Sequence, residues 1–197
     1  MVRLLPGVVR RVLGGGTPQP WWLPRRLLAV VSADVDLGAG VGAVWMVWLP
    51  GAVGAREHIE FLEWYDGQWR SLGGASSSVG DPADADVDVI EVRGGSGSLS
   101  FSRRLDPPRS IETALWIAAV QMYLGREVDH VLVGDRRFDA SSGQRRVVAV
   151  WKGPQIRRGS RPVIVAFGRD GSELSRLGPL DSLDSRTWAR VWGELGE

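Results

Sequence analysis

Apolar and polar residues alternate in short runs along most of the chain after residue 57, and turn-forming residues separate the runs. The clearest runs are HIEFLEWY, QWRSLG, DVDVIEV, SGSLSFSRR, RRVVAVW and RPVIVAF. A period of two residues is typical of strands with one buried face. About ten short strands joined by glycine-rich turns predict a mainly β fold, namely an immunoglobulin-like β-sandwich or a related barrel.

The dipeptide Asp66-Gly67 predicts a tight hairpin between the first two runs. A type I′ turn needs positive φ at both central residues, and Asp-Gly supplies it. The resulting register places Trp64 opposite Trp69 on the drier face of the hairpin. We expect this indole pair to pack into the core, and an exposed aromatic platform for a sugar, peptide or base is the alternative.

Two further hairpins are predicted in the second half of the chain. Gly134-Asp135 joins DHVLV to RRFDA, and Asp170-Gly171 joins RPVIVAF to SELSRLG. A two-residue turn at Asp170-Gly171 places Phe167 opposite Leu174. The apolar run from 163 to 167 predicts a strand that is buried on both faces.

Residues 37–55 contain no charge, and 19 such residues approach the length of a membrane helix. Five glycines and Pro50 argue against a helix there. The sequence therefore favours a buried strand over 44–49 that ends at a Pro-Gly turn, and a membrane anchor through 37–55 is the alternative.

Residues 110–125 carry signals for two kinds of element. Ser110 and Gly125 would cap a helix, whereas WIAAVQMY is also a buried strand that could pair with the strand starting at Val128. Because the surrounding pattern consists of strands, we expect a strand here.

Three domains follow from these patterns. Residues 1–26 predict a flexible basic arm, because they contain five arginines and no acid and lack a period. The β-sandwich occupies 27–180, and 181–197 form a short amphipathic helix packed on it. The apolar run near Arg25-Arg26 is too short for an export signal, so we expect a cytoplasmic location.

The composition of the chain excludes several kinds of binding and active site. With 197 residues, 44% of them hydrophobic, the chain can bury a core, and its net charge of +1 is no strong signal for nucleic-acid binding. It has no cysteine, which excludes disulfides, zinc-thiolate sites and a cysteine nucleophile. Lys152 is the only lysine among 24 basic residues, a bias typical of a GC-rich, bacterial genome.

No catalytic or metal site and no cofactor is predicted. His58 and His130 each lie next to an acid, and nothing in the sequence brings them together. The glycine-rich stretches, including RGGSGS, lack phosphate-binding patterns and are interpreted as turns. The residues Asp81, Asp84, Asp86 and Asp88 lack the spacing of a calcium loop and are expected to be a solvated acidic segment.

A basic cluster is the second candidate binding site. If RRFDA pairs with RRVVAVW, four arginines crowd one end of a hairpin and could bind an anion or a phosphate backbone. These residues are Arg136, Arg137, Arg145 and Arg146.

The most consistent interpretation is a non-catalytic β domain that binds an unknown protein or an anionic ligand. Its candidate binding residues are Trp64, Trp69 and the four arginines just named. Two alternatives remain, namely a membrane-associated protein anchored through 37–55 and a hydrolase-like enzyme that uses His58 or His130.

Overall fold

The computed structural model describes residues 5–78, 89–101, 115–140, 145–154 and 161–181. Strands make up 60% and helix 6% of these residues, which confirms a mainly β fold. The immunoglobulin-like sandwich stays a prediction. The elements are α1 (Leu5–Leu13), β1 (Leu28–Asp36), β2 (Val41–Trp48), β3 (Arg56–Tyr65), β4 (Gln68–Ser78), β5 (Ile90–Leu99), β6 (Leu115–Leu124), β7 (Val128–Val133), β8 (Arg136–Asp139), β9 (Arg146–Pro154), β10 (Ile164–Gly168) and β11 (Glu173–Leu177).

The described strands form three sheets, with the orders β1-β2-β3-β4, β11-β10-β7-β8 and β5-β6-β9. The chain divides into two compact units. The first comprises residues 1–80, 95–120 and 148–156, and the second comprises 81–94, 121–147 and 157–197. Strands β5, β6 and β9 contribute residues to both units.

Helix α1 covers one face of the first sheet, here called the helix face. The helix lies inside the segment for which the sequence predicts an irregular arm. Its apolar residues recur at helical spacing in VVRRV, and a short stripe of this kind becomes stable when it is buried against a sheet. The buried cluster consists of Val8, Val9, Leu28, Val30, Val44, Met46, Leu62 and Trp69.

The opposite face of the same sheet carries Trp45 and Phe61, which are also buried. Two polar side chains of β1 on this face accept hydrogen bonds from the backbone of β9. Ser32 Oγ accepts from the Val148 amide at 3.1 Å, and Asp34 Oδ2 accepts from the Val150 amide at 2.7 Å. Side chains of β1 therefore satisfy backbone donors of β9.

The uncharged segment 37–55 contains a strand, as predicted. Residues Val41 to Val47 of β2 are all buried, and the chain then turns at Leu49, which has a φ of 47°. In the ranges that the structure describes, no helix is long and apolar enough to cross a membrane.

The glycine-rich stretches of β4 and β5 are strand, so their interpretation as turns is wrong. RGGSGS lies within β5, a single strand where the sequence predicts two, and Gly73-Gly74 lies within β4. At Gly74 a side chain would overlap the carbonyl oxygen of Ile59 in the neighbouring strand. Glycine is therefore present there because two backbones approach closely, which pattern reading does not distinguish from a turn.

The prediction of a strand in the ambiguous segment 110–125 is confirmed for β6, while residues 110–114 lie outside the described ranges. The predicted pairing of this strand with the strand that starts at Val128 is wrong. Strand β6 lies between β5 and β9, whereas β7 belongs to another sheet.

The second unit contains the sheet β11-β10-β7-β8. The hairpin at Gly134-Asp135 is confirmed, because Val133 pairs with Arg136. In the β10–β11 hairpin Phe167 pairs with Glu173 instead of Leu174, because the register shifts between Ala166 and Phe167. The turn closes through a hydrogen bond from Gly168 N to Ser172 O at 2.9 Å, so it is longer than two residues.

Two predicted features lie outside the described residues. They are the acidic segment with Asp81, Asp84, Asp86 and Asp88, and the C-terminal helix predicted over 181–197, of which only residue 181 is described.

Candidate functional site

The Asp66-Gly67 hairpin has the predicted geometry. Asp66 and Gly67 have φ values of 53° and 72°, and Trp64 pairs with Trp69. The two indoles meet edge to face, with ring centroids 5.6 Å apart. Trp69 is 9% exposed and belongs to the core, whereas Trp64 is 52% exposed. Of the pair, Trp64 is therefore the indole that can offer its ring to a ligand.

Leu27, Trp48 and Arg56 are exposed at the end of the first sheet where β1 begins, β2 ends and β3 begins, and the loop that leads into β1 carries Trp21 and Trp22. Trp21 is 86% exposed, Trp22 55% and Trp48 37%. We call this surface the aromatic–basic end. It consists of Trp21, Trp22, Arg25, Arg26, Leu27, Trp48, Leu49, Val53 and Arg56, all of them exposed.

Hydrogen bonds fix the loop that carries Trp21 and Trp22. The Gln19 side chain donates to the carbonyl of Leu23 at 2.9 Å and accepts from the Val30 amide at 2.7 Å. Further along the same segment, Leu27 contacts the β2–β3 connection, because the Leu49 amide donates to its carbonyl at 3.0 Å. The tryptophans are thus presented by a loop that is attached to β1 and not by a free arm.

The charged residues among those that define the aromatic–basic end are all arginines. The sequence contains no Asp or Glu in 14–33 or in 37–56, the segments that form this surface. Its charged groups are Arg25, Arg26 and Arg56. Exposed indoles beside arginines, with no carboxylate in the same segments, form a surface suited to a partner that is both apolar and anionic.

His58 is the centre of a polar network on the helix face of β3 and β4. Its Nδ1 lies 2.7 Å from the hydroxyl of Ser76, and its Nε2 lies 2.8 Å from a carboxylate oxygen of Glu60. The hydroxyl of Ser71 donates to the other Glu60 oxygen. The carboxylate partner is Glu60 and not the adjacent Glu57, because residues two apart on a strand share a face.

His130 lies in the second unit and has a different environment. Its ring stacks on Phe167, its cross-strand neighbour, with centroids 5.0 Å apart and an interplanar angle of 10°. Its Nδ1 lies 3.1 Å from Asp129, which also faces Arg137 at 3.6 Å. Each histidine therefore has its own carboxylate.

The four arginines of the predicted basic cluster each contact a group of the second unit. Strand β8 pairs with β7 while β9 pairs with β6, so RRFDA and RRVVAVW do not form the expected hairpin. Arg137 donates to Asp139 at 2.7 Å, and Arg145 donates to the carbonyls of Gly125 and Val128. The guanidinium groups of Arg136 and Arg146 lie over the rings of Phe138 and Tyr123. These contacts order the arginine side chains, and anion binding by them stays a prediction.

Within the described ranges, no group of three or more His, Asp or Glu side chains is arranged to bind a metal ion.

Sequence reasoning missed the aromatic–basic end because its parts are distant in the chain. The sequence signal is WWLPRR, which lacks any period and for that reason predicts part of the flexible arm over 1–26. The apolar run over 44–49 predicts a buried Trp48, and its exposure in the structure follows from its position at the last residue of β2.

No family model, no curated protein and no solved structure matches the chain. The proposal for its function therefore rests on the geometry described above.

Proposed function

We propose that the protein is a binding module that docks on anionic lipid surfaces through its aromatic–basic end. The observation that carries this proposal is the grouping of Trp21, Trp22 and Trp48, all exposed, on a surface whose charged side chains are arginines. Indoles favour the membrane–water interface, where the ring contacts acyl chains and the N–H contacts polar headgroups.

Arginines on the same surface add attraction to anionic headgroups. Each basic residue close to an anionic membrane contributes about 1 kcal/mol, and this attraction weakens as salt is added. Because Arg25 and Arg26 lie on the loop that carries Trp21 and Trp22, the apolar and electrostatic contributions act at one place.

This form of attachment differs from a membrane span. The uncharged segment 37–55 contributes Trp48, Leu49 and Val53 at the edge of the sheet, while the rest of β2 is buried. The expected cytoplasmic location agrees with the proposal, because the cytoplasmic leaflet carries the anionic lipids.

The test is co-sedimentation with vesicles of phosphatidylcholine mixed with phosphatidylglycerol, beside vesicles of phosphatidylcholine alone. We expect the full chain to bind the anionic vesicles more tightly, with a blue shift of tryptophan emission, and to be released by salt. Changing Trp21 and Trp22 together to Ser, or Arg25 and Arg26 together to Gln, should weaken binding.

Leu180→Ser and Arg169→Gln are the matched controls, because both side chains are exposed and lie outside the aromatic–basic end. These controls should bind like the parent chain. Absence of the protein from both vesicle pellets would overturn the proposal and favour a protein partner. Equal weakening by the control variants would also contradict it.

A further inference from the structure

The second feature of the first unit that carries chemistry is the network around His58. The β3–β4 register places Ser76 directly opposite His58, and Glu60 follows two residues later on the same face. Nucleophile, base and carboxylate are thus arranged in the order Ser76, His58, Glu60, with contacts of 2.7 Å and 2.8 Å. This order is the one that activates a serine hydroxyl in hydrolases of unrelated folds.

Solvent exposure decreases from Ser76 to His58 and Glu60, as a site with a serine nucleophile requires. Ser76 is exposed, whereas the side chains of His58 and Glu60 are 13% and 9% exposed. A substrate can therefore reach the hydroxyl while the ion pair formed during the reaction is shielded from water. The Ser71 hydroxyl donates to the second oxygen of Glu60 and thereby helps to orient the carboxylate that faces His58.

The hydrogen-bond partners of His58 indicate which ring nitrogen carries a proton. An ionised Glu60 only accepts hydrogen bonds, so His58 Nε2 carries the proton that faces it. In the neutral imidazole Nδ1 is then unprotonated and accepts the hydrogen bond of the Ser76 hydroxyl. Compared with the serine-protease arrangement, the two ring nitrogens exchange roles, and either nitrogen of an imidazole can act as the base.

We propose that Ser76, His58 and Glu60 form a nucleophilic site that hydrolyses carboxylic esters through an acyl-serine. Ser76 Oγ attacks the ester carbonyl carbon while its proton passes to His58 Nδ1. The C–O bond to the alcohol then breaks, and Nδ1 returns the proton to the leaving alkoxide. Water attacks the acyl-serine by the same route, which releases the acid and restores Ser76.

The site lies near the aromatic–basic end. His58 is two residues from Arg56 in β3, a distance of about 7 Å along the strand. Acyl esters held at a lipid surface could therefore reach Ser76 when this end of the sheet binds the lipid. The proposed hydrolysis does not depend on lipid binding, because soluble esters can reach the exposed Ser76.

The test combines turnover with labelling of the full chain. We expect hydrolysis of p-nitrophenyl acetate, and covalent labelling by a fluorophosphonate probe that mass spectrometry places on Ser76. Ser76→Ala removes the nucleophile and should abolish both the labelling and the protein-dependent rate, whereas loss of an acid–base partner lowers a rate on the order of 100-fold. His58→Gln and Glu60→Gln should reduce both the rate and the labelling.

Ser77→Ala is the matched control, because Ser77 is the next residue of β4 and is also exposed. Its rate and labelling should equal those of the parent chain. Labelling of the parent needs no variant, so the result does not depend on whether a variant folds. Release of p-nitrophenol at the buffer rate, or a probe found on residues other than Ser76, would overturn the proposal.

Discussion

Lys152 of β9 donates a hydrogen bond to Glu63 of β3 at 2.7 Å, and the Glu63 side chain is only 3% exposed. The same carboxylate accepts from the Ser100 hydroxyl and the Phe101 amide, each at 2.6 Å. The only lysine of the chain thus neutralises a buried carboxylate inside the first unit.

Removal of this cation should destabilise the first unit strongly. Breaking a buried ion pair by loss of one partner costs about 3 kcal/mol or more, because a charge stays buried without its counter-charge. We therefore expect Lys152→Met to lower the free energy of unfolding by that amount in urea titrations. The double variant Lys152→Met with Glu63→Gln should recover part of the loss. A Lys152→Met protein as stable as the parent would contradict a structural role for the pair.

The two indoles of the hairpin should respond differently to truncation. Trp69→Ala removes a buried ring and should cost about 3–5 kcal/mol. Trp64→Ala removes an exposed ring and chiefly its edge-to-face contact with Trp69, which is worth about 1 kcal/mol. Urea unfolding of both variants, followed by circular dichroism, measures the difference. Equal losses would mean that Trp64 is buried as deeply as Trp69.

Gly74 should tolerate no side chain. Its Cβ would overlap the Ile59 carbonyl, so Gly74→Ala must push β4 away from β3 and should cost about 1–3 kcal/mol. Gly153→Ala is the control, because no atom of the described residues lies within 4 Å of a Cβ added at that position of β9. Thermal unfolding should give Gly74→Ala a clearly lower melting temperature than Gly153→Ala. The same displacement would separate Ser76 from His58.

Asp170 should titrate below the ordinary range of an aspartate. Its Oδ1 accepts from the hydroxyl of Ser172 at 2.6 Å and from the Ser172 amide at 3.0 Å, and the hydroxyl bond is the larger cause of the lowered pKa. Since the folded pKa lies below the unfolded value, this contribution is present above the unfolded pKa and is lost as pH falls through the folded one.

NMR titration of the side-chain carboxyl groups checks this prediction. Ser172→Ala keeps the amide donor and removes the hydroxyl, so it should raise the pKa of Asp170 only part of the way. Glu173 is an internal control, because hydrogen bonds from Arg176 lower its pKa. An unchanged Asp170 pKa in Ser172→Ala would show that the hydroxyl has no effect.

Local turn chemistry decided which hairpins the sequence could predict. Asp66-Gly67 fixes its register through the φ values of two adjacent residues, and the structure has that register. The β10–β11 hairpin carries the same dipeptide, but a bulge beside Phe167 shifts the pairing. A bulge is stabilised by packing and by bonds such as that between Gly168 and Ser172, which no two-residue pattern contains.

The candidate sites depended on contacts between distant parts of the chain. His58 and Ser76 lie 18 residues apart and meet because β4 pairs with β3, whose backbone comes close to Gly74. Arg145 binds the Gly125 carbonyl, 20 residues away. Sequence patterns locate such residues on strands, but they do not show which strands are neighbours.

The hydrogen bonds from Val148 and Val150 to Ser32 and Asp34 also constrain the order in which the chain can fold during synthesis. Each joins groups 116 residues apart, so the first four strands leave the ribosome long before these two donors exist. A nascent chain that ends before residue 148 must keep the Asp34 carboxylate in water or bury it without the Val150 amide. The first unit therefore completes its core only after β9 has been made.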